Sequence, residues 1–332
     1  MPLPVSKSEF NRLGDRLIVA ASPSEADLED LAAVLAPYQE VLERVKVHLR
    51  DLGFAPSGRV KTTTTMTDKL RRTRGMQLSR MQDLAGARFV VHDLAAQDEA
   101  RDKISEFYAE QDCSCRVIDR RADPRFGYRA VHVVTRIDEL PVEIQIRTEL
   151  QDTWAQIVER LADRWGRGIR YGQDPEDPEG AIVSSGGRRY SRRDVVAELM
   201  KLSDRIWSVE QVRRHLDSAR RGLNEASSKL EMFRHPRPDS RGLERKIDSG
   251  LIPVQESAAQ QLAPRSAELD AEGQALLNAG TDITTRQLIR MLDIGVNLIA
   301  RDVSAILAGL ASREQQLRDT LQVIAGAMDE GA

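Results

Sequence analysis

Three features of the sequence predict an α+β fold: a mixed β-sheet flanked by helices, with a helical, coiled-coil-like region at its C-terminal end. Apolar residues recur at helical spacing over 24–52 and again over 149–165. Short apolar runs of strand length stand at 86–92 and on both sides of a polar tip near residue 138. After residue 192, two long stretches carry apolar residues at heptad-like intervals.

The elements follow in order. Leu28, Leu31, Leu35, Tyr38, Val41, Leu42, Val45 and Leu49 make one stripe of a helix that Ser24 or Asp27 caps and Gly53 ends. Residues 66–82 hold a helix start and a short second helix, broken near Gly75. Gly86–His92 reads as a strand and 96–110 as a helix. YRAVHVVTRI and PVEIQIRT, joined at Asp138 and Glu139, read as an antiparallel hairpin. In its second arm Val142, Ile144 and Ile146 share one face, while Glu143, Gln145 and Arg147 share the other. Taken alone, that polar face is as readily a solvated surface as a site. Leu150, Trp154, Ile157, Leu161 and Trp165 form the buried stripe of the next helix. Gly, Pro and Asp crowd 166–191, a linker composition.

Beyond it, Leu202, Val209, Leu216, Leu223 and Leu230 make one seam; Leu292, Val296, Ile299, Val303, Ile306 and Leu310 make another. Between the seams, 234–282 is expected to be loops around one short helix. The expected organisation is therefore an N-terminal helical segment (1–54) packed on a core (55–166). A flexible linker (167–191) and a separately folding helical region (192–332), regulatory or homo-oligomerising, complete it.

Composition narrows the class. Charged residues are 30% and apolar ones 41%, while aromatics are only 4%, so the core rests on aliphatic side chains and leans toward helix. No uninterrupted apolar run approaches the ~20 residues of a membrane span, and the first residues lack an apolar signal core. The expectation is a cytoplasmic protein with no membrane partner. Cys113 and Cys115 exclude a disulfide framework, and the histidines show no zinc spacing. Between residues 59 and 80, Arg59, Lys61, Lys69, Arg71, Arg72, Arg74 and Arg80 face a single acid, Asp68. A local basic cluster on a chain of net charge −3 points to a phosphate-bearing ligand.

Four blocks sharpen this. Arg59, Lys61, Thr65 and Lys69 fit R-x-K-x-x-x-(S/T)-x-x-x-K; Asp83 to Arg88 fit D-x-x-G-x-R; Gly127 to His132 fit G-Y-R-(S/A)-x-H; Glu143 to Thr148 fit E-x-Q-x-R-T. Trp154-Ala155 follows in the next helix. Each block alone is weak, but in this order over about a third of the chain they resemble the synthetase domain of the RelA/SpoT alarmone synthetases, in a stand-alone form. The resemblance implies a pyrophosphokinase that uses ATP and GDP or GTP, with Mg²⁺ as cofactor.

It further implies roles. Arg59 and Arg88 would sandwich adenine, with Lys61, Thr65 and Lys69 on the ATP phosphates. Asp83 and Glu143 would be the catalytic carboxylates and metal ligands, Glu143 also accepting the proton of the ribose hydroxyl. Tyr128, Arg129, His132, Gln145 and Arg147 would contact the acceptor nucleotide. The chain departs from the family pattern on the acceptor side: Pro124-Arg125-Phe126 precedes Gly127, and Val158-Glu159 stands where E-H is usual. Arg120, Arg121 or Arg125 are candidates for the missing charge. A toxic relative that modifies adenosine nucleotides or the tRNA 3′ end, and a non-catalytic nucleotide- or RNA-binding regulator, are the alternatives. His92-Asp93, an H-D dipeptide of the kind metal phosphohydrolases use, is expected to be coincidental.

Overall fold

The computed structural model describes residues 4–19, 23–73, 75–183, 189–234, 252–280 and 282–330. Arg74, residues 184–188 of the expected linker and residues 235–251 of the expected loops lie outside them.

A five-stranded mixed sheet forms the centre. Its strands are β1 (Ser57–Val60), β2 (Ala85–Val91), β3 (Cys115–Asp119), β4 (Val131–Ile137) and β5 (Leu140–Thr148), in the order β1-β2-β5-β4-β3. β2 and β5 pair in parallel, and the other neighbours are antiparallel. β4 and β5 are the expected hairpin. Its two-residue tip has φ of +49° at Asp138 and +65° at Glu139, a left-handed pair whose twist suits tight hairpins.

One face of the sheet is the core. Ala85, Ala87, Phe89, Val131, Val133, Val142, Ile144 and Ile146 are buried there against α2 (Glu25–Asp51) and α4 (Leu94–Ala109). α2 starts at Ser24, whose hydroxyl accepts from the Asp27 amide while the Asp27 carboxylate accepts from Ser24 in return. α1 (Lys7–Val19), which showed no clear sequence signal, adds Phe10, Leu13 and Leu17 to the same core. α3 (Thr63–Arg72) lies between β1 and β2 in sequence and starts at Thr62.

A second apolar cluster is built on α5 (Glu149–Trp165). Leu150, Trp154, Ile157, Leu161 and Trp165 pack with Leu199, Leu202 and Ile206 of α6 (Arg192–Arg234) and with Leu317 and Leu321 of α9 (Thr285–Glu330). Two compact units result: one is Met1–Glu210 with Leu317–Ala332, the other Gln211–Gln316. The division does not fall at 167–191. Its described residues include a short 3₁₀ turn (Arg167–Tyr171) and the paired strands β6 (Ala181–Val183) and β7 (Arg189–Ser191).

The second unit has its own small core of Ala258, Leu262, Leu276, Ile283, Leu288, Met291 and Leu298, drawn from α7 (Ile252–Leu262), α8 (Ala271–Asn278), α9 and, for Ile283, the residues just before α9. Two of the expected seam residues, Ile299 and Ile306, are instead 44% and 51% exposed. A straight helix drifts from a strict heptad line, and the buried line runs through Met291, Leu298, Val303 and Leu310. By length and composition α9 is also long and apolar enough to cross a membrane, with a mean hydropathy of 1.5 over 18 residues, although charges interrupt its apolar run. Its interrupting charges are held within the unit: Arg301 pairs with Glu268, and Asp302 with Arg265 at 2.8 Å.

Candidate functional site

The second sheet face carries the polar residues in two register rows. In the first, Ser57 of β1 lies opposite Arg88 of β2, Arg88 opposite Gln145 of β5, and Gln145 opposite His132 of β4. In the second, Arg59 lies opposite Gly86, Gly86 opposite Glu143, and Glu143 opposite Val134. Directly paired residues point to the same side of a sheet, as do residues two apart along a strand. Arg59, Arg88, Glu143, Gln145, Arg147 and His132 therefore share a face, opposite the buried one. Gly86 leaves the place beside Glu143 without a side chain; a Cβ there would touch only the Glu143 carbonyl, at 3.7 Å.

Arg59 and Arg88 are diagonal neighbours on this face, and neither guanidinium is held in an ion pair among the described residues. Beside them is a cationic knot. Lys61 and Lys69 each reach one oxygen of Asp83, both at 2.7 Å. Burial pushes the Asp83 carboxyl up, but the two ammonium groups outweigh it and hold its pKa below the ordinary value. Lys69 arrives there from α3, one turn beyond Thr65. The Thr65 hydroxyl donates to the Thr62 carbonyl at 2.9 Å, inside the first turn of α3, whose start lacks acidic residues.

On the β4 side, the chain turns tightly at 125–128. Phe126 and Gly127 have φ of +52° and +77°, and the Tyr128 amide donates to the Arg125 carbonyl at 3.0 Å. Gly127 is required twice over: its φ suits glycine, and a Cβ would meet the Trp154 ring at 2.7 Å. The turn brings the Tyr128 hydroxyl into a polar network. It lies 3.0 Å from His132 Nε2, donates to Gln145 Oε1 at 3.3 Å, and receives a bond from Arg147 at 3.3 Å. Gln145 in turn donates to Glu143 at 2.8 Å, and His132 Nδ1 is 3.3 Å from the same carboxylate. Burial lowers the His132 pKa, against the pull of Glu143.

Ten of the twelve expected residues lie on or beside this face as open or partly open groups. Arg147 and Arg129 do not. The Arg147 side chain is 4% exposed, and its ion pair with Asp152 at 3.0 Å leaves it bracing Tyr128 from below. Arg129 is the neighbour of Tyr128 but turns the opposite way and is buried against α6, bonded to Ser203, Asp204 and the Arg121 carbonyl. Arg121 is also withdrawn, in ion pairs with Asp98 and Asp119. Sequence reasoning did not find Asp152, Ser203 or Asp204, because none lies in a motif block. His92-Asp93 has a structural use: Asp93 caps α4, accepting from the Ala96 amide at 2.8 Å.

Residues 58–162 match the family model described as a region found in RelA / SpoT proteins. The chain is 36% identical over 187 residues to uncharacterized proteins of Mycobacterium tuberculosis and Mycobacterium bovis, covering 54% of this chain and 67% of each relative. Residues 58–162 are a RelA/SpoT domain. Among solved structures, small alarmone synthetase 1 from Bacillus subtilis is 21% identical, covering 55% of this chain and 94% of that one at a TM-score of 0.42. A GTP pyrophosphokinase family protein from Streptococcus pneumoniae is 23% identical, covering 58% and 93% at a TM-score of 0.42. The four blocks of this RelA/SpoT domain all fall within the matched region, and the sheet gathers them onto one side.

Proposed function

We propose that this face is a nucleotide pyrophosphokinase site, which transfers the β,γ-pyrophosphoryl group of ATP to the ribose 3′-hydroxyl of GDP or GTP. The observation that carries the proposal is the pair of register rows. They align two flat guanidiniums, a carboxylate, a glutamine and a histidine across four adjacent strands, and the Tyr128 hydroxyl bonds to the last two. ATP lies over the β1–β2 side, its adenine between Arg59 and Arg88. Its phosphates draw Lys61 and Lys69 from Asp83, and the start of α3 adds unpaired amides. The acceptor lies over the β4–β5 side, its base on the Tyr128 ring and its hydroxyl toward Glu143.

In the reaction, the ribose oxygen forms a bond to the β-phosphorus as the bond from that phosphorus to the α,β-bridging oxygen breaks. AMP leaves with the bridging oxygen, and Glu143 takes the proton of the hydroxyl. Asp83 and Glu143 are hard oxygen donors that suit Mg²⁺, which takes one or two carboxylates together with substrate phosphates. When bound, Mg²⁺ supplies charge neutralisation at the phosphates. The site residues' share is to align two polyanions that repel one another in water.

Labelled ATP tests the proposal, incubated with the purified protein and, in turn, GDP, GTP, adenosine nucleotides and tRNA. Label on the guanosine nucleotide, with equimolar AMP, is the expected result. Label on adenosine nucleotides or tRNA would move the acceptor and refute guanosine specificity. No transfer to any acceptor, with nucleotide binding retained, would make the protein a regulator.

A further inference from the structure

The turn that presents Tyr128 is held from behind by α6. Arg129 is 5% exposed, and its three guanidinium nitrogens are all committed. Nε donates to Ser203 Oγ at 3.2 Å, one terminal nitrogen donates to Asp204 at 2.6 Å, and the other to the Arg121 carbonyl. The Ser203 hydroxyl passes its own proton on to the Gly127 carbonyl. Both sides of Tyr128 are thereby tied to one turn of one helix: Gly127 through Ser203, and Arg129 through Ser203 and Asp204. The Trp154 ring that packs on Gly127 is fixed to the same helix, its Nε1 donating to the Leu199 carbonyl at 2.6 Å.

We propose that Ser203 and Asp204 of α6 are positioning residues for the acceptor half of the site, fixing the 125–129 turn so that Tyr128 stands where the acceptor base must stack. The proposal rests on the function given above. The physical reason lies in the turn itself. Phe126 holds a left-handed conformation that a bulky residue adopts only when its surroundings impose it. Three hydrogen bonds between the turn and one helix supply that imposition, one donated by Ser203 and two by Arg129, and a buried arginine left without its carboxylate would weaken it. Among the described residues none of the ATP-side groups Arg59, Lys61, Lys69 and Arg88 is bonded to α6; they sit on β1, α3 and β2 or beside them. Loosening the clamp therefore acts on one substrate and not the other.

Ser203→Ala and Asp204→Asn in the full chain test this, with Lys201→Ala, an exposed change on the same helix, as control. Hydrogen exchange comes first, because it reads the turn without any acceptor. Amides of 125–129 are expected to exchange about tenfold faster in both variants, a change that matches one weakened hydrogen bond. Those of β2 should be unchanged. Steady-state kinetics come second: the acceptor KM is expected to rise about tenfold while the ATP KM and the Lys201→Ala control stay at wild-type values. Faster exchange with no acceptor used even by the wild-type protein would uphold the clamp and refute the function it is built on. Unchanged exchange at 125–129, or equal rises in both KM values, would overturn the positioning role.

Discussion

Lys69 of α3 and Asp83 before β2 are joined at 2.7 Å, and the second oxygen of the same carboxylate holds Lys61. One buried-side anion thus keeps two ammonium groups, which would otherwise repel, within reach of a common point. Substituting Asp83 with Asn removes that anion. Asp83→Asn is predicted to abolish measurable transfer and to weaken ATP binding. The pH dependence gives a further check. The folded pKa of Asp83 is depressed, so its contribution to stability is complete above the ordinary aspartate value of 3.8 and is lost as pH falls below it. Urea melts of wild type and Asp83→Asn should therefore differ at pH 7 and draw together as the pH falls below 3.8.

Glu143→Gln is predicted to lower the rate of transfer about 10²- to 10⁴-fold, the usual range for loss of a positioned proton acceptor. The melting temperature should hold, because a glutamine keeps the shape and still bonds Gln145. Transfer at the wild-type rate, with Mg²⁺ supplied, would remove Glu143 from the chemistry.

Arg147 and Arg59 belong to the same motif set yet should behave oppositely. Arg147→Ala removes a buried guanidinium and leaves the half-buried Asp152 without its cation, a loss of about 1–3 kcal/mol, and calorimetry should show a lowered melting temperature. Arg59 is exposed, so Arg59→Ala should leave the melting temperature within a degree or two and weaken ATP binding alone.

That contrast marks how far the sequence could be read. The helices at 25–51 and 149–165 and the β4–β5 hairpin were legible because each repeats its period over several turns or strand pairs. β1 and β3 were not: SGRV and CRVID are short, lack alternation and owe their strand form to pairing with β2 and β4. The motif blocks named the residues but not their directions. Tyr128 and Arg129 are adjacent, so one reaching the open face sends the other toward α6, and only the fold shows which. The Gly- and Pro-rich stretch at 167–191 suggested a break in the chain, but the buried Leu199, Leu202 and Ile206 beyond it belong to the same unit as the sheet.

A chain ending at residue 190 should for that reason fail to fold. Removing Leu199, Leu202, Ile206 and Leu321 from the α5 cluster forfeits on the order of 6–12 kcal/mol at about 1.5–3 kcal/mol for each buried side chain. That is comparable with the whole stability of a domain. Tryptophan fluorescence should show Trp154 and Trp165 in water, and a cooperative melt with native fluorescence would show that the core stands without α6 and α9.

The central claim is that one sheet face holds two nucleotides, ATP over β1–β2 and the acceptor beside Tyr128. Calorimetric titration of a non-hydrolysable ATP analogue and of GDP into Arg88→Ala and Tyr128→Ala tests it most directly. Arg88→Ala is predicted to weaken the ATP analogue and spare GDP. Tyr128→Ala is predicted to weaken GDP roughly 10- to 100-fold, as loss of a stacked base worth about 1–3 kcal/mol requires, and to spare the analogue. The reverse pattern, with Tyr128→Ala weakening the ATP analogue while GDP binds as before, would contradict the division of the face.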